Sequence, residues 1–208
     1  MTEDRSILDR VERYYSEKIA EHGAVAKGVD WKDEAGQKLR FEKLARLFAG
    51  EQNPSVVQLG CGYGAFVDFC DGAGIEPQYT GYDISEKMIE AARNRFGGRT
   101  STRFELGSKP LQRAGYAIAS GIFNVKFDVP AERWRQYVID TIDLLACVAE
   151  KGFAFNCLTG HSDEHRKLDR LYYPMPGEML DHCVRRYGRK VTVLHDYDLY
   201  EFTVLVMK

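Results

Sequence analysis

Residues 56–66 read VVQLGCGYGAF, and this stretch decides how the chain folds. An apolar run comes first, glycines follow at positions 60, 62 and 64, and helix-compatible residues then resume. This order predicts a strand that enters a tight turn and leaves it as a helix. Glycine has no Cβ atom, so the turn can adopt positive φ and lie directly against a ligand, with the amides of the helix start facing that ligand. We expect such a turn to bind a nucleoside-bearing cofactor.

The glycines alone do not select the cofactor. They also satisfy the G-x-G-x-x-G/A fingerprint of dinucleotide-binding proteins, because Ala65 occupies its last position and Asp83 lies near the expected acidic position. The stretch at 79–93, YTGYDISEKMIEAAR, is more informative. It predicts a strand that ends at Asp83, a helix cap at Ser85 and a helix that opens on Met88.

Two motifs, LGCGYG at 59–64 and DISEKMIEAA at 83–92, together resemble the class I S-adenosylmethionine-dependent methyltransferases. That family typically carries LDxGCGxG in the first turn and D-[IVL]-S-x-x-M-[IL]-x-x-A in the second. The resemblance implies that S-adenosylmethionine is the cofactor and S-adenosylhomocysteine the product. It also implies that the glycine turn holds the methionine part, that Asp83 accepts both ribose hydroxyls and that Met88 lies near the adenine. Gln58 stands where the family usually carries an acid.

Further cofactor contacts are predicted from position in this pattern. Gln37 and Arg40 lie beside the apolar stripe of a helix rather than opposite it, and the resemblance implies that such an arginine pairs with the cofactor's carboxylate. Ser120 and Gly121 end the fourth strand at the crevice where open α/β sheets bind ligands. The predicted cofactor-binding residues are Gln37, Arg40, Leu59, Gly60, Cys61, Gly62, Tyr63, Asp83, Ile84, Met88, Gly107, Ser108, Ser120 and Gly121.

Strand and helix patterns alternate along the chain. Strands are predicted at 55–60, 78–83, 102–106, 115–120 and 151–157, and helices at 64–71, 85–96, 131–149 and 176–186. The last two runs, KVTVLHDY and LYEFTVLVMK, have only a short link at Asp198, too short for a helical crossover, so they pair as a hairpin. We predict a Rossmann-like, doubly wound α/β fold: a seven-stranded sheet, mostly parallel, with an antiparallel C-terminal strand and helices on both faces.

Length and composition set the remaining limits. The chain has 208 residues, which predicts a single domain over 1–208, with a helical N-terminal cap at 1–50 and a core at 55–208. A net charge of −2 gives no general attraction to phosphate backbones and argues against nucleic acid as the main partner. The sequence contains no run of about 20 apolar residues, so we expect no membrane span and a cytoplasmic location.

Candidate catalytic residues lie on loops after the fourth and fifth strands. His161 is the predicted general base, because neutral imidazole accepts a proton near pH 7. Asn124 is predicted to orient an acceptor, and Tyr172 to line its pocket or take the proton. His161, Glu164 and His165 also spell H-x-x-E-H, but they follow a strand and a glycine rather than lie on a helix, so no metal site is predicted.

The sequence therefore predicts a methyltransferase that uses S-adenosylmethionine on a small-molecule, saccharide or natural-product acceptor. Two alternatives stay open. One is a NAD(P)-dependent oxidoreductase, which the terminal hairpin opposes. The other is a non-catalytic cofactor-binding or regulatory module of the same fold. Two departures from the family pattern keep it open: Gln58 replaces one usual acid, and Gly107 and Ser108 follow the third strand, where the family often has another. The acceptor, the atom that is methylated and the oligomeric state are not specified.

Overall fold

The computed structural model describes residues 3–208, with side chains from Ser6 onward. The helices in this part of the chain are α1 (Glu3–His22), α2 (Glu34–Ala45), α3 (Ala65–Gly72), α4 (Glu86–Phe96), α5 (Ala131–Val148) and α6 (Pro176–Tyr187), with short 3-10 helices at Ala26–Val29, Arg46–Phe48 and Glu164–Arg166. The strands are β1 (Ser55–Leu59), β2 (Gln78–Asp83), β3 (Thr102–Leu106), β4 (Ala114–Ala119), β5 (Ala149–Leu158), β6 (Val191–Leu194) and β7 (Glu201–Met207).

The seven strands form one sheet in the order β3-β2-β1-β4-β5-β7-β6. Strands β1 to β5 pair in parallel, whereas β7 is antiparallel to both of its neighbours, β5 and β6. This arrangement confirms the predicted fold and its antiparallel C-terminal strand. The loop between β6 and β7 covers residues 195–200 and is longer than the link predicted at Asp198.

Helices cover both faces of the sheet because successive side chains of a strand point to opposite faces. In β4, Tyr116 and Ile118 pack with α3 and α4 on one face, and Ala117 and Ala119 pack with α5 and α6 on the other. Helix α2 joins the first of these layers through Phe41 and Leu44. Of the predicted helical cap, α2 therefore packs against the sheet, whereas α1 packs on α4.

The connection between β3 and β4 contains no helix; residues 107–113 form a loop there. This loop is tied to β2, because the Leu111 amide donates to the hydroxyl of Tyr82 and Gln112 Nε2 donates to Thr80 Oγ1. Gly107, Ser108 and Lys109 of this loop line part of one cavity together with Tyr137 and Thr141 of α5. No helix among residues 3–208 is long and apolar enough to cross a membrane.

Candidate functional site

The turn after β1 needs glycine for steric reasons. Gly60, Gly62 and Gly64 have φ values of 66°, 54° and 84°, in the left-handed region that other residues rarely adopt. A Cβ atom at position 60 would lie 2.1 Å from Cγ2 of Ile122, in the loop after β4. The turn therefore brings bare backbone to the carboxyl end of the sheet, immediately before α3 begins at Ala65.

Asp83 ends β2 and is hydrogen-bonded to this turn. One carboxylate oxygen accepts the Gly62 amide at 2.9 Å, and the other accepts the Ser85 amide at 2.9 Å. Ser85 in turn caps α4 by accepting the Met88 amide. Burial raises the pKa of Asp83 above its ordinary value, and the amide donors oppose that shift. The two sequence motifs thus form one unit.

A cavity of about 750 Å³ opens beside this unit. Thirteen of the fourteen residues predicted to bind a cofactor line it: Gln37, Leu59, Gly60, Cys61, Gly62, Tyr63, Asp83, Ile84, Met88, Gly107, Ser108, Ser120 and Gly121. The Gln37 side chain reaches the wall as an acceptor for the Tyr63 hydroxyl at 3.1 Å. Gln58, which replaces the family's acid, also lines the cavity, and its Oε1 accepts the Tyr79 hydroxyl at 2.7 Å.

One buried hydroxyl on the wall of this cavity has no hydrogen-bond partner among the described residues. Ser120 Oγ is buried at the wall, and it forms no hydrogen bond with any residue that the structure describes. A buried hydroxyl without a partner is costly unless a ligand or water completes its bonding. Together with the Asp83 carboxylate and the bare backbone of the glycine turn, it gives the cavity the donor and acceptor set that a nucleoside with a polar tail requires.

Arg40 is the residue of the predicted cofactor set that the structure places outside this cavity. Its Nε and Nη2 atoms donate to the two carboxylate oxygens of Glu201 at 2.8 and 2.6 Å, and its guanidinium lies 3.8 Å from the centre of the Trp31 ring. Both charged side chains are buried. Glu201 thus occupies the Nε and Nη2 donors of Arg40, and the pairing of Arg40 with a cofactor carboxylate stays a prediction.

The buried pair continues into a hydrogen-bonded network at the edge of the cavity. Glu201 also accepts Nδ2 of Asn156 at 3.0 Å, and Oδ1 of Asn156 accepts the Gly121 amide at 2.8 Å. The indole of Trp31 packs on Gly121 so closely that a Cβ atom there would lie 2.3 Å from Cζ2. The network therefore fixes the backbone at the end of β4.

Some lining residues were not predicted from the sequence. Leu8, Val11 and Tyr15 of α1 line one wall, and Trp31 and Ile122 line another. The amphipathic pattern of α1 places these apolar side chains on an inner face, but the pattern does not distinguish a face that packs on the core from one that borders a cavity.

A second cavity, of about 470 Å³, lies next to the first. Four residues line both cavities: Tyr15, Val29, Trp31 and Gly121. The loop after β4 contributes Asn124 and Val125, and the end of β5 contributes Leu158. Asn124, a predicted acceptor contact, thus borders this second cavity, where its Oδ1 accepts the Leu158 amide at 3.3 Å.

The structure does not bring the other two predicted catalytic residues to either cavity. His161 is exposed, and its ring centre lies 5.9 Å from that of His195. Tyr172 is buried in the core, and burial raises its pKa to about 12. His161 belongs to the segment 159–169, which lines neither cavity, and the Tyr172 side chain packs in the core although its neighbour Leu171 lines the second cavity. Their catalytic roles stay predictions. The described residues contain no group of three or more His, Cys, Asp or Glu that could hold a metal ion.

Sequence comparisons find methyltransferases. The sequence model of a family described as a methyltransferase domain matches residues 32–189. A Mycobacterium tuberculosis (strain ATCC 25618 / H37Rv) protein named as a candidate methyltransferase, Rv1506c, is 45% identical over 154 residues, which cover 74% of this chain and 93% of that protein.

Solved structures share the fold at low sequence identity. Magnesium protoporphyrin IX methyltransferase (ChlM) from Synechocystis PCC 6803 with bound SAM aligns with a TM-score of 0.60 and 15% identity, over 84% of this chain and 80% of that chain. The DhpI-SAM-HEP complex aligns with a TM-score of 0.66 and 17% identity, over 96% of this chain and 97% of that chain. At these identities the alignments establish the architecture.

Proposed function

Because this chain belongs to the methyltransferase domain family, we propose that it transfers a methyl group from S-adenosylmethionine to a small-molecule, saccharide or natural-product acceptor. Membership of this family confirms the resemblance to methyltransferases that the two sequence motifs indicate. The observation that carries the choice of cofactor is the hydrogen bond between Asp83 and the Gly62 amide, on the wall of a cavity large enough for a nucleoside.

Each wall of the first cavity has a part in this proposal. The Asp83 carboxylate accepts the ribose hydroxyls, and the backbone at Gly60 and Gly62 lies against the amino-acid tail. Met88 offers a buried, polarizable surface to the adenine, and Ser120 Oγ supplies a hydrogen bond that no described residue now uses. When bound, S-adenosylmethionine supplies a methyl group on a positively charged sulfur.

The chain's own contribution to the reaction is to position and enclose the two reactants. Correct alignment alone can lower a barrier by about 7 to 11 kcal/mol in favourable cases. We place the acceptor in the second cavity, since that cavity shares Trp31 and Gly121 with the first. There Asn124 Nδ2, which donates to no described residue, is available to orient the acceptor.

The oxidoreductase alternative is set aside, because the chain belongs to the methyltransferase family and its last strand is antiparallel. The non-catalytic alternative predicts cofactor binding without turnover. A methyl-transfer assay with labelled cofactor and a panel of small acceptors separates it from an enzyme.

The experiment on the cofactor compares S-adenosylhomocysteine with NAD⁺ by thermal denaturation and titration calorimetry. At about 100 times the dissociation constant, binding stabilises the fold by ~2.7 kcal/mol, which raises Tm by roughly 5 to 11 °C at this chain length. We expect S-adenosylhomocysteine to produce that increase and NAD⁺ to produce none. A shift with NAD⁺ alone would refute the proposal.

A substitution tests the role of Asp83. Asp83→Ala removes a charged acceptor and should weaken S-adenosylhomocysteine binding by about 1.5 to 3 kcal/mol. The matched control is Glu90→Ala, which removes an exposed carboxylate from α4 and should leave the affinity unchanged. Equal affinity for the wild type and Asp83→Ala would show that the ribose lies elsewhere.

A further inference from the structure

The second cavity has a strongly basic lining. Its charged walls carry the cations Lys18, Lys27, Lys32, Arg40 and Arg170 and the carboxylates Asp30 and Glu201. Five cations and two anions give this lining a net charge of +3, in a chain whose net charge is −2. His22 also lines the cavity and adds to this balance when protonated.

The two carboxylates already form hydrogen bonds and ion pairs within the protein. Glu201 is held by both donors of Arg40 and by Asn156. Asp30 accepts the Tyr14 hydroxyl at 2.7 Å and lies within 3.6 Å of Lys18 Nζ and 3.9 Å of Arg170. Neither carboxylate is available to the remaining cations.

Lys27 and Lys32 are the two cations of this lining without a carboxylate partner among the described residues. Neither side chain forms a hydrogen bond or ion pair with any residue from Ser6 to the end of the chain. Both are exposed, so each ammonium group keeps its own hydration and can turn towards a ligand in the cavity. Like charges that border one concavity raise the local concentration of anions, because its low-dielectric walls focus the field.

The other walls of this cavity are apolar. Val29, Val125, Leu158 and Leu171 line it beside the indole of Trp31. A volume of about 470 Å³ accommodates a small molecule with an apolar or planar body but excludes a polymer from its interior.

We propose that the second cavity binds the methyl acceptor, and that this acceptor is a small molecule with a carboxylate or phosphate group which Lys27 and Lys32 hold. The methyl group passes where the two cavities meet, beside Trp31 and Gly121. In that step a lone pair on the acceptor forms a bond to the methyl carbon, and the carbon–sulfur bond breaks with its electrons left on sulfur. An acceptor hydroxyl or ammonium group also loses its proton to water. This inference rests on the proposed function, since it names the substrate class of the same enzyme.

The first test measures binding to the full chain, with and without S-adenosylhomocysteine. The probe is phenyl phosphate and the uncharged comparison is phenol, both by titration calorimetry. We expect phenyl phosphate to bind at least about tenfold more tightly than phenol, because a charge-assisted contact is worth 1.4 kcal/mol or more. Equal affinities would overturn the inference.

Two matched double variants identify the lysines. Lys27→Gln/Lys32→Gln should weaken phenyl phosphate binding by about tenfold or more and leave phenol unchanged. Lys38→Gln/Lys87→Gln removes two exposed lysines that line neither cavity, so it controls for net charge. The same loss in both variants would show general attraction to a basic surface, and no loss in the first would show that other groups hold the anion.

The fluorescence of Trp31 reports where the probe binds. The chain has two tryptophans, and Trp134 is fully buried in the core, so a change on binding should come from Trp31. We expect Trp31→Phe to abolish that change, and a change that persists would place the probe outside this cavity. The S-adenosylhomocysteine titration keeps the two proposals separate. If S-adenosylhomocysteine binds and phenyl phosphate does not, the inference fails and the proposed function stands. If S-adenosylhomocysteine does not bind, the proposed function fails.

Discussion

The Arg40–Glu201 pair offers the sharpest test of how the site is held together. Arg40 is 8% exposed and Glu201 is 1% exposed, and two hydrogen bonds of 2.8 and 2.6 Å join them. Arg40→Met removes the cation but keeps most of the apolar volume, so it leaves the Glu201 carboxylate buried with Asn156 as its remaining donor.

The expected loss in the free energy of unfolding follows from the burial of both charges. Removing one partner of a buried ion pair typically destabilises a protein by about 3 to 5 kcal/mol, because a charge is left without compensation. Glu201→Leu should cost a similar amount, about 3 to 5 kcal/mol, since Arg40 is then unpaired. The double variant leaves neither charge of this pair, only the orphaned Nδ2 of Asn156, so we expect it to lower the free energy of unfolding by about 1 to 3 kcal/mol. The two substitutions are therefore strongly non-additive.

Urea denaturation followed by circular dichroism measures these free energies, and thermal denaturation checks them. For a chain of this length, the loss in Arg40→Met should lower Tm by roughly 6 to 20 °C. The matched control is Arg99→Met, because Arg99 also holds a carboxylate through two bonds, to Asp71 at 2.8 and 2.6 Å, but on the surface. We expect that substitution to cost less than about 1 kcal/mol.

Two results would refute this reasoning. A cost for Arg40→Met as small as that for Arg99→Met would mean that water screens the Arg40–Glu201 pair. Additive costs in the double variant would mean that the two side chains act independently, so the pair would not hold Gly121 in place.

Three further predictions address the turn, the stability profile and the proton acceptor. Gly60→Ala should lower the free energy of unfolding by about 1 to 3 kcal/mol in urea denaturation, because φ is 66° and the new Cβ would overlap Ile122, whereas Gly72→Ala, in open space within α3, should cost nothing. Burial lowers the pKa of His182, so the unfolded chain takes up a proton near pH 6.5 that the folded chain resists; the free energy of unfolding should fall as pH drops through that value, and a slope unchanged in His182→Leu would contradict this. Because His161 lies outside both cavities, His161→Ala should keep turnover within about fivefold in the methyl-transfer assay, and a 10²-fold loss would restore it as the base.

The sequence predicted most of the architecture because the relevant signals are local. Residues 78–83 and 102–106 were assigned to strands with the bounds observed for β2 and β3, since alternation and flanking turn residues mark both ends. The glycine turn and Asp83 were also located from sequence, because only glycine tolerates those φ values and an acid at a strand end faces the crevice.

What the sequence did not predict depends on contacts between distant parts of the chain. The partner of Arg40 lies 161 positions away, and no local pattern indicates that β7 brings Glu201 there. The sequence predicts His161 near the crevice because it follows β5, but residues 159–169 line neither cavity, and the path of a loop is not encoded by periodicity. The second cavity was not predicted for the same reason, since Lys27 and Lys32 come from the connection between α1 and α2, and this connection packs against α1.

Because α1 borders the first cavity, the helix propensity of its residues influences the affinity for a ligand there. This helix borders the first cavity through Leu8, Val11 and Tyr15, and its Ser16 hydroxyl is 2.7 Å from that of Ser85. A ligand that contacts α1 stabilises the state in which α1 is folded and packed on α4. By reciprocity, any change that stabilises this state tightens the binding of that ligand. Glu17 is exposed and lines neither cavity, yet glycine at that position weakens the helix by about 1 kcal/mol. Sequence changes on the outer surface of α1 can thus alter ligand affinity without altering any residue that lines a cavity.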